Sequence, residues 1–547
     1  MVDKNRLFYG DNLNVLQAHI QDESVDLVYL DPPFNSNRNY NVIFGKHQRN
    51  DSSDAAQIEA FGDTWVWTPT TDQQYQDLVS GGLPNAVADA LMAMLTLLTE
   101  NDAMAYLVNM APRLVELHRV LKDTGSLYLH CDSTMSHYLK LLLDAIFGPG
   151  RFVNEVIWQR AHTIKGNAGQ GARHYGRSTD TLLVYAKSGK YTFQQAYTPY
   201  SDKYLARFKY TDPESGRRYR LVSMIGPGGA AKGNPQYEVM GVIRYWRYSR
   251  QKMQDLLEQG LVVQPRPGAV PERKQYLDEG KGSAVQSLWT DIIEINPMAA
   301  ERLGYPTQKP VALLERIIGT SSREGDVVLD PFCGCGTTID AAQRLGRNWI
   351  GIDITYIAID LIQKRLKDRF PGIEDGSYEV AGIPRDKEAA LALFSKSPFD
   401  FERWAVSLVN GQPNQKQVGD KGIDGVARFP LGDPNQNRGG IGRVLVSVKG
   451  GRNLKPEFVR DLLGTVDTQK AELGVLITLA EPTRGMVDAV NHAGNYTHPA
   501  NGQTFPKVQV ITVSALLAGK RPSLPLTLPP YLAATRSTAR VTAEGLF

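Results

Sequence analysis

One stretch constrains the fold more than any other: VVLDPFCGCGTTIDAAQRLGRNWIGID, from Val327 to Asp353. It reads as an apolar strand ending in an acid, a Gly-rich turn, a helix from about Thr338 to Leu345, and a second apolar strand ending in an acid. Two such strands joined by one helix must lie parallel, so the chain is an α/β protein whose ligands sit at the strands' carboxyl edge. Glycines 334 and 336 let backbone approach a ligand, and the helix start offers free amides to an anionic group. Asp353, at the next strand's tip, stands where such folds bind a ribose diol. The dinucleotide fingerprint would require glycine at position 339, where this chain has Ile339, so a different nucleoside cofactor is expected.

The same grammar opens the chain. Arg6 to Tyr9 reads as a strand, Gly10-Asp11 as a corner, Leu13 to Ile20 as a helix, and VDLVYL as a second strand. VDLVYL is apolar nearly throughout, as a parallel strand covered on both faces should be, and it runs directly into Asp31-Pro32-Pro33-Phe34. A helical region from about Pro84 to Lys122, the strand SLYLH and a helix near Met135 to Phe147 continue the rhythm.

Asp31 and the Pro32 carbonyl form a pair of acceptors suited to an exocyclic amine. The lone pair of such an amine is delocalised into its ring, and two acceptors that each take one N–H localise it on nitrogen. Pro32 and Pro33 stiffen the turn and remove competing amide donors, while Phe34 offers a face to an extruded base. Attack on a cytosine ring carbon would instead need a thiolate, usually after a proline, and the chain has no Pro-Cys pair. Its three cysteines, Cys131, Cys333 and Cys335, are too few for a disulfide framework or a thiolate zinc site.

Taken together, DPFCGCGT at 330 to 337, PTQKP at 306 to 310, Gly10-Asp11 and VDLVYLDPPF resemble the β group of amino-methylating DNA methyltransferases. The resemblance covers roughly residues 5 to 370 apart from a variable segment, and it implies a Rossmann-like, S-adenosylmethionine-dependent fold. By it, Asp353 holds the cofactor ribose, Asp11 lies near the adenine edge, and Lys309 and the turn at 333 to 337 lie near the methionine part. The implied cofactor set is Asp11, Lys309, Asp330, Phe332, Cys333, Gly334, Gly336, Thr337 and Asp353. In that family aspartate at the first DPPF position accompanies adenine N6 more often, and serine cytosine N4.

The variable segment is the basic part of a nearly neutral chain. From Gln159 to Gly282 there are 21 Lys and Arg against 10 Asp and Glu, a net +11 within a total of +3, together with 12 of the 24 tyrosines. Cations that neutralise phosphates and rings that stack on bases suit double-stranded DNA. The segment is expected to be an inserted target-recognition lobe.

Beyond residue 398 a second pattern begins. FDFERWAVSLVNG reads as an amphipathic helix, and KGIDGVARF and RVLVSVKGG as strands bearing Asp424 and Lys449. The stretch from about 398 to 515 resembles the Mrr-like restriction endonucleases, which implies an α/β nuclease-like fold with Asp424 and Glu402 on Mg2+ and Asp424 and Lys449 in phosphodiester cleavage. Ser447 stands where that family carries Gln or Glu, a weaker metal ligand that leaves a non-cleaving binding module as the alternative.

The expected organisation is a catalytic half at 1–158, the lobe at 159–290, a cofactor half at 291–370, a linker at 371–397 whose PGIEDGSYEVAGIPRDKEAA marks a linker or a peripheral strand, the nuclease-like domain at 398–520 and a tail at 521–547. The N-terminal MVDKNRLFYGDN lacks an apolar signal core, and no run reaches the ~18 apolar residues of a membrane span, so a cytoplasmic location is expected. The expected function is adenine-N6 methylation of DNA within a restriction-modification system. The rivals are a cytosine-N4 enzyme with a non-cleaving C-terminal domain and a non-catalytic, cofactor-sensing DNA-binding protein.

Overall fold

The computed structural model describes residues 5–33, 66–162, 173, 175–296, 299, 301–303, 308–373, 376–414, 422–432 and 440–527, with backbone alone at 41–43 and 57–59. Phe34, assigned above to base stacking, lies outside the described residues. The chain divides into one unit made of Met1–Gln194 and Ser287–Phe547 and a second, Gln195–Gln286, inserted between them.

The first unit is built on nine strands: β1 (Asn5–Tyr9), β2 (Val25–Leu30), β3 (Leu121–Cys131), β4 (Phe152–Gln159), β5 (Thr179–Ala186), β6 (Leu288–Trp289), β7 (Val327–Asp330), β8 (Asn348–Asp353) and β9 (Tyr378–Ala381). They pair in the order β6-β4-β5-β3-β2-β7-β8-β1-β9. Only β5 runs against its neighbours, pairing antiparallel with both β3 and β4. In β2 all six residues are buried, and in β7 all four, as a sheet covered on both faces demands. Parallel register lines up the tips: Tyr9 pairs with Asp353, Asp330 with Gly351, and Val28 with Leu329. The ends of β1, β2, β7 and β8 therefore share one edge.

Helices fix those tips by capping. Asp11 Oδ1 accepts the amides of Leu13 and Asn14 to start α1 (Asn12–His19). The long α2 (Asp102–Val120) packs beside it, and α3 (Val311–Ser321) follows Lys309 and Pro310. Helix α4 (Thr337–Arg344) starts from Gly336, and α5 (Tyr356–Arg369) is capped by Thr355. The segment assigned to the lobe, 159–290, differs from the expectation above: it gives both β5 and β6 to the main sheet. β5, within the segment assigned to the lobe, belongs to the main sheet because its apolar run TDTLLVYA is buried there from Asp180 onward. β9, within the linker, adds to the sheet edge beside β1.

The inserted unit holds a four-stranded antiparallel sheet, including Arg218–Ser223 and Glu272–Tyr276, and a small core around Met224, Trp246 and Leu256. Its cations lie against its rings: Arg217 stands 3.9 Å from the Tyr276 centroid and Arg220 4.9 Å from that of Tyr204.

The C-terminal part of the first unit carries α6 (Lys387–Lys396), α7 (Pro398–Ser407) and a second sheet: β10 (Gln412–Pro413), β11 (Gly425–Pro430), β12 (Ile441–Lys449), β13 (Leu473–Thr478) and β14 (Val508–Thr512), paired in that order. Phe401 and Trp404 of α7 pack into its core with Phe429 and Val446. Among the described residues no helix is long and apolar enough to cross a membrane.

Candidate functional site

The tips of β1, β2, β7 and β8 open into one crevice, whose lining includes Asp31, Lys309, Asp330, Gly334, Asp353 and Thr355. The turn after β7 is held in place by backbone. Cys333 N–H donates to Ile352 O at 3.1 Å, and Gly334 N–H to Asp353 Oδ2 at 2.9 Å. Gly336 begins α4 with φ of +74°, and a Cβ there would meet Ile362 Cγ1 at 2.6 Å, so only glycine fits. Below the turn Arg365 donates from Nη1 to Cys335 O at 2.9 Å and from Nε to the buried Asp340 at 2.8 Å.

Asp353 is fixed by Gly334 on one oxygen and by the Thr355 amide and hydroxyl, at 2.8 and 2.7 Å, on the other. Burial pushes its carboxyl above the usual range, and the Thr355 and Gly334 bonds oppose the shift. Asp330 receives the Thr338 hydroxyl at 2.5 Å and the Phe332 amide at 3.0 Å. It is only 3% exposed, and burial pushes it up to about 7. Burial also raises the Cys333 and Cys335 thiols, which stay neutral small side chains in the turn.

At the β2 tip, Asp31 Oδ2 forms an ion pair with Lys309 Nζ. Asp31 Oδ1 is buried and has no hydrogen-bond partner among the described residues, an acceptor with nothing yet to accept. Pro33 lines the crevice beside it and Pro32 is buried. Behind Asp31, Tyr29 Oη lies 2.9 Å from His130 Nδ1, whose Nε2 is 3.2 Å from Asp180.

The structure thus brings Asp11, Asp31, Pro33, Lys309, Asp330, Phe332, Cys333, Gly334, Thr337 and Asp353 to one crevice. Asp11 arrives there with its carboxylate engaged: one oxygen caps α1, and the other accepts Arg113 Nη2 at 2.6 Å. Asn12, Arg113, Gln308, Thr338 and Thr355 also line the crevice and were not singled out in the sequence. Thr355, two residues after the strand-tip acid, had a signal in its N-cap position; Arg113, in mid-helix, had none.

The C-terminal triad is arranged differently. Asp424 precedes β11 and Lys449 ends β12, but Asp424 Oδ2 accepts the Val448 amide at 2.6 Å and the Ser447 hydroxyl at 3.3 Å. Lys449 Nζ stands 5.7 Å from the Phe458 ring centroid, and Glu402 lies on α7. Among the described residues no group of three or more His, Cys, Asp or Glu side chains is disposed to hold a metal. The Mg2+ site expected at Asp424 and Glu402 is therefore not supported.

Comparison with known proteins separates the same two regions. Residues 25–364 match the N6/N4 methyltransferase model, described as DNA methylase. Residues 400–518 match a model described as NACHT-associated inactive restriction endonuclease 1, a description in line with the non-cleaving alternative rather than with cleavage through Asp424 and Lys449. The chain is 33% identical over 293 residues to the type II methyltransferase M.EcaI of Enterobacter cloacae, covering 53% of this chain and 63% of that protein. It is 29% identical over 360 residues to the Mod subunit of the type III restriction-modification enzyme StyLTI of Salmonella typhimurium, covering 62% and 50%. The chain thus spans less than two thirds of either relative. To the DNA adenine methyltransferase YhdJ of Escherichia coli it is 26% identical over 393 residues, covering 71% and 91%.

Proposed function

Because this chain belongs to the N6/N4 DNA methylase family, we propose that it transfers a methyl group from S-adenosylmethionine to adenine N6 in double-stranded DNA, as the modification activity of a restriction-modification system. The observation that carries the reading is the unpartnered Asp31 Oδ1, buried in the same crevice as Asp353 and the Gly336 turn. The crevice fits the cofactor: Asp353 suits the ribose diol, and Gly334 and Thr337 of the turn line the same crevice. Bound there, S-adenosylmethionine supplies a methyl group on an electron-poor sulfonium.

The chain's own residues do the rest. Asp31 Oδ1 accepts one N–H of an extruded amine and the Pro32 carbonyl accepts the other, which localises the nitrogen lone pair towards the crevice. Lys309, paired with Asp31 Oδ2, leaves Oδ1 for the amine. As the N–C bond forms, the methyl–sulfur bond breaks and its electron pair stays on sulfur as a neutral thioether; the nitrogen becomes cationic, and Asp31 is placed to stabilise it until one N–H proton passes to solvent. The aspartate at position 31 supports adenine N6 over cytosine N4, and the basic, Tyr-rich lobe supports a nucleic-acid substrate.

The test incubates the chain with unmethylated duplex DNA and tritiated S-adenosylmethionine, then digests the DNA to nucleosides. Label in N6-methyl-2′-deoxyadenosine is the expected result. Label in N4-methyl-2′-deoxycytidine overturns the base assignment, and retention of the cofactor with no labelled nucleoside overturns catalysis.

A further inference from the structure

Arg113 sits in the middle of α2, 102 residues after Asp11 in sequence, and its guanidinium reaches the cofactor crevice. It is 7% exposed. Its immediate neighbour Pro112 has no amide to donate and opens the helical ladder one turn back, around Val108. Arg113 uses all three of its nitrogens: Nη1 donates to Asn109 O at 2.7 Å, Nη2 to Asp11 Oδ2 at 2.6 Å and Nε to Asn12 Oδ1 at 2.6 Å.

Asn12 carries the connection further. Its Nδ2 donates at 2.8 Å to the carbonyl of Pro331, the residue that joins Asp330 to the Gly-rich turn. One buried cation therefore ties together α2, the capped start of α1 after β1, and the turn after β7. Those two tips flank β8, whose Asp353 lies between them at the same edge. A buried guanidinium is costly to desolvate, and an apolar side chain would fill a helix–sheet contact without that cost. What the guanidinium adds is a fixed spacing between two strand tips that no direct backbone pairing joins.

We infer that Arg113 is a positioning residue of the cofactor crevice: through Asp11 and Asn12 it holds the β1 and β7 tips at the separation that a nucleoside over Asp353 requires. This rests on the proposed reading of the crevice as an S-adenosylmethionine site. Arg113 acts through its neighbours, so its effect falls on cofactor affinity.

The experiment is titration calorimetry of the full chain with unlabelled S-adenosylmethionine, alongside thermal unfolding. Arg113→Met is expected to raise the cofactor Kd by about tenfold or more. Arg113→Lys, which keeps a charge for Asp11 but lacks the fork that reaches Asn12, should fall between that variant and the wild type. Asn12→Ala cuts the links to Pro331 and to Arg113 Nε but keeps the Arg113–Asp11 pair, and serves if Arg113→Met does not fold; its Kd should rise in the same direction. In steady-state transfer the loss should appear in KM for the cofactor rather than in kcat. Arg113 variants that unfold earlier yet bind the cofactor as the wild type does would overturn the inference and leave the proposed function standing. A wild-type chain that binds no S-adenosylmethionine would instead overturn the function itself.

Discussion

The β2 tip and the β11 tip each carry an aspartate, Asp31 and Asp424, and use it in opposite ways. Asp31 gives one oxygen to Lys309 and keeps the other buried without a partner among the described residues. Asp424 turns an oxygen back onto its own sheet, where it takes the Val448 amide and the Ser447 hydroxyl. A strand-tip acid becomes reactive when its surroundings leave a lone pair pointing at an empty space; when the neighbouring strand supplies the donors, the acid is a brace. The difference accords with a family match to methylases over the first region and to an inactive nuclease over the second.

The largest effect that can break this contrast is loss of the open acceptor. Asp31→Asn puts an amide where the incoming amine needs a carboxylate, and methyl transfer should fall by about 10² to 10³-fold or more. Calorimetry should show the cofactor Kd little changed, since Asp353 and the turn remain. The matching Asp424→Asn variant should leave transfer unaltered. If Asp31→Asn keeps transfer within about tenfold of wild type, the open oxygen is not the catalytic acceptor.

The brace reading makes a stability claim of its own. Asp424→Ala strands the Val448 amide in a sheet interior, which should cost roughly 1–3 kcal/mol, read from denaturant unfolding followed by the fluorescence of Trp404 in that core. Wild-type chain with Mg2+ and unmethylated supercoiled plasmid should produce no nicks. Nicking that disappears in Asp424→Ala would restore the cleaving role and erase the contrast.

How far the sequence discloses all this depends on whether a residue's role is local. VDLVYL and WIGID are legible as covered parallel strands because both their faces are apolar, and the acids that end them follow at once. Gly336 is legible because its turn permits no Cβ. Arg113 is not: in an amphipathic helix it looks like any solvated cation, and its partners lie about a hundred residues away. The same holds for the Lys309–Asp31 pair, separated by 278 residues, which sequence reading assigned to two different tasks. β9 is legible only as an alternative, a linker or a peripheral strand. Its SYEVA run is short and flanked by charge and glycine, so only the free edge of β1 makes a strand of it. The brace at Asp424 was half visible in Ser447, a poor metal ligand at a position that otherwise suits a nuclease.

The smallest predicted effect concerns Asp330 and sharpens the contrast by pH. Its carboxyl is pushed up to about 7 by burial against the Thr338 and Phe332 bonds that favour ionisation. Folding therefore favours the protonated form, so this group's contribution to stability is present at low pH and is lost as pH rises from the ordinary carboxylate range towards 7. A cationic cofactor in the same crevice reverses the preference, because a sulfonium favours the ionised carboxylate. Below pH 7 binding must then expel a proton from Asp330; above pH 8 it need not. Cofactor affinity should accordingly rise by about three- to tenfold between pH 6 and 8 and level off beyond. Calorimetry at pH 6.5 in two buffers of different ionisation enthalpy should show proton release, and Asp330→Asn should abolish both the release and the slope. An affinity that is flat across this range in the wild type would mean that the positive charge does not sit beside Asp330, and that the crevice holds its ligand in another orientation.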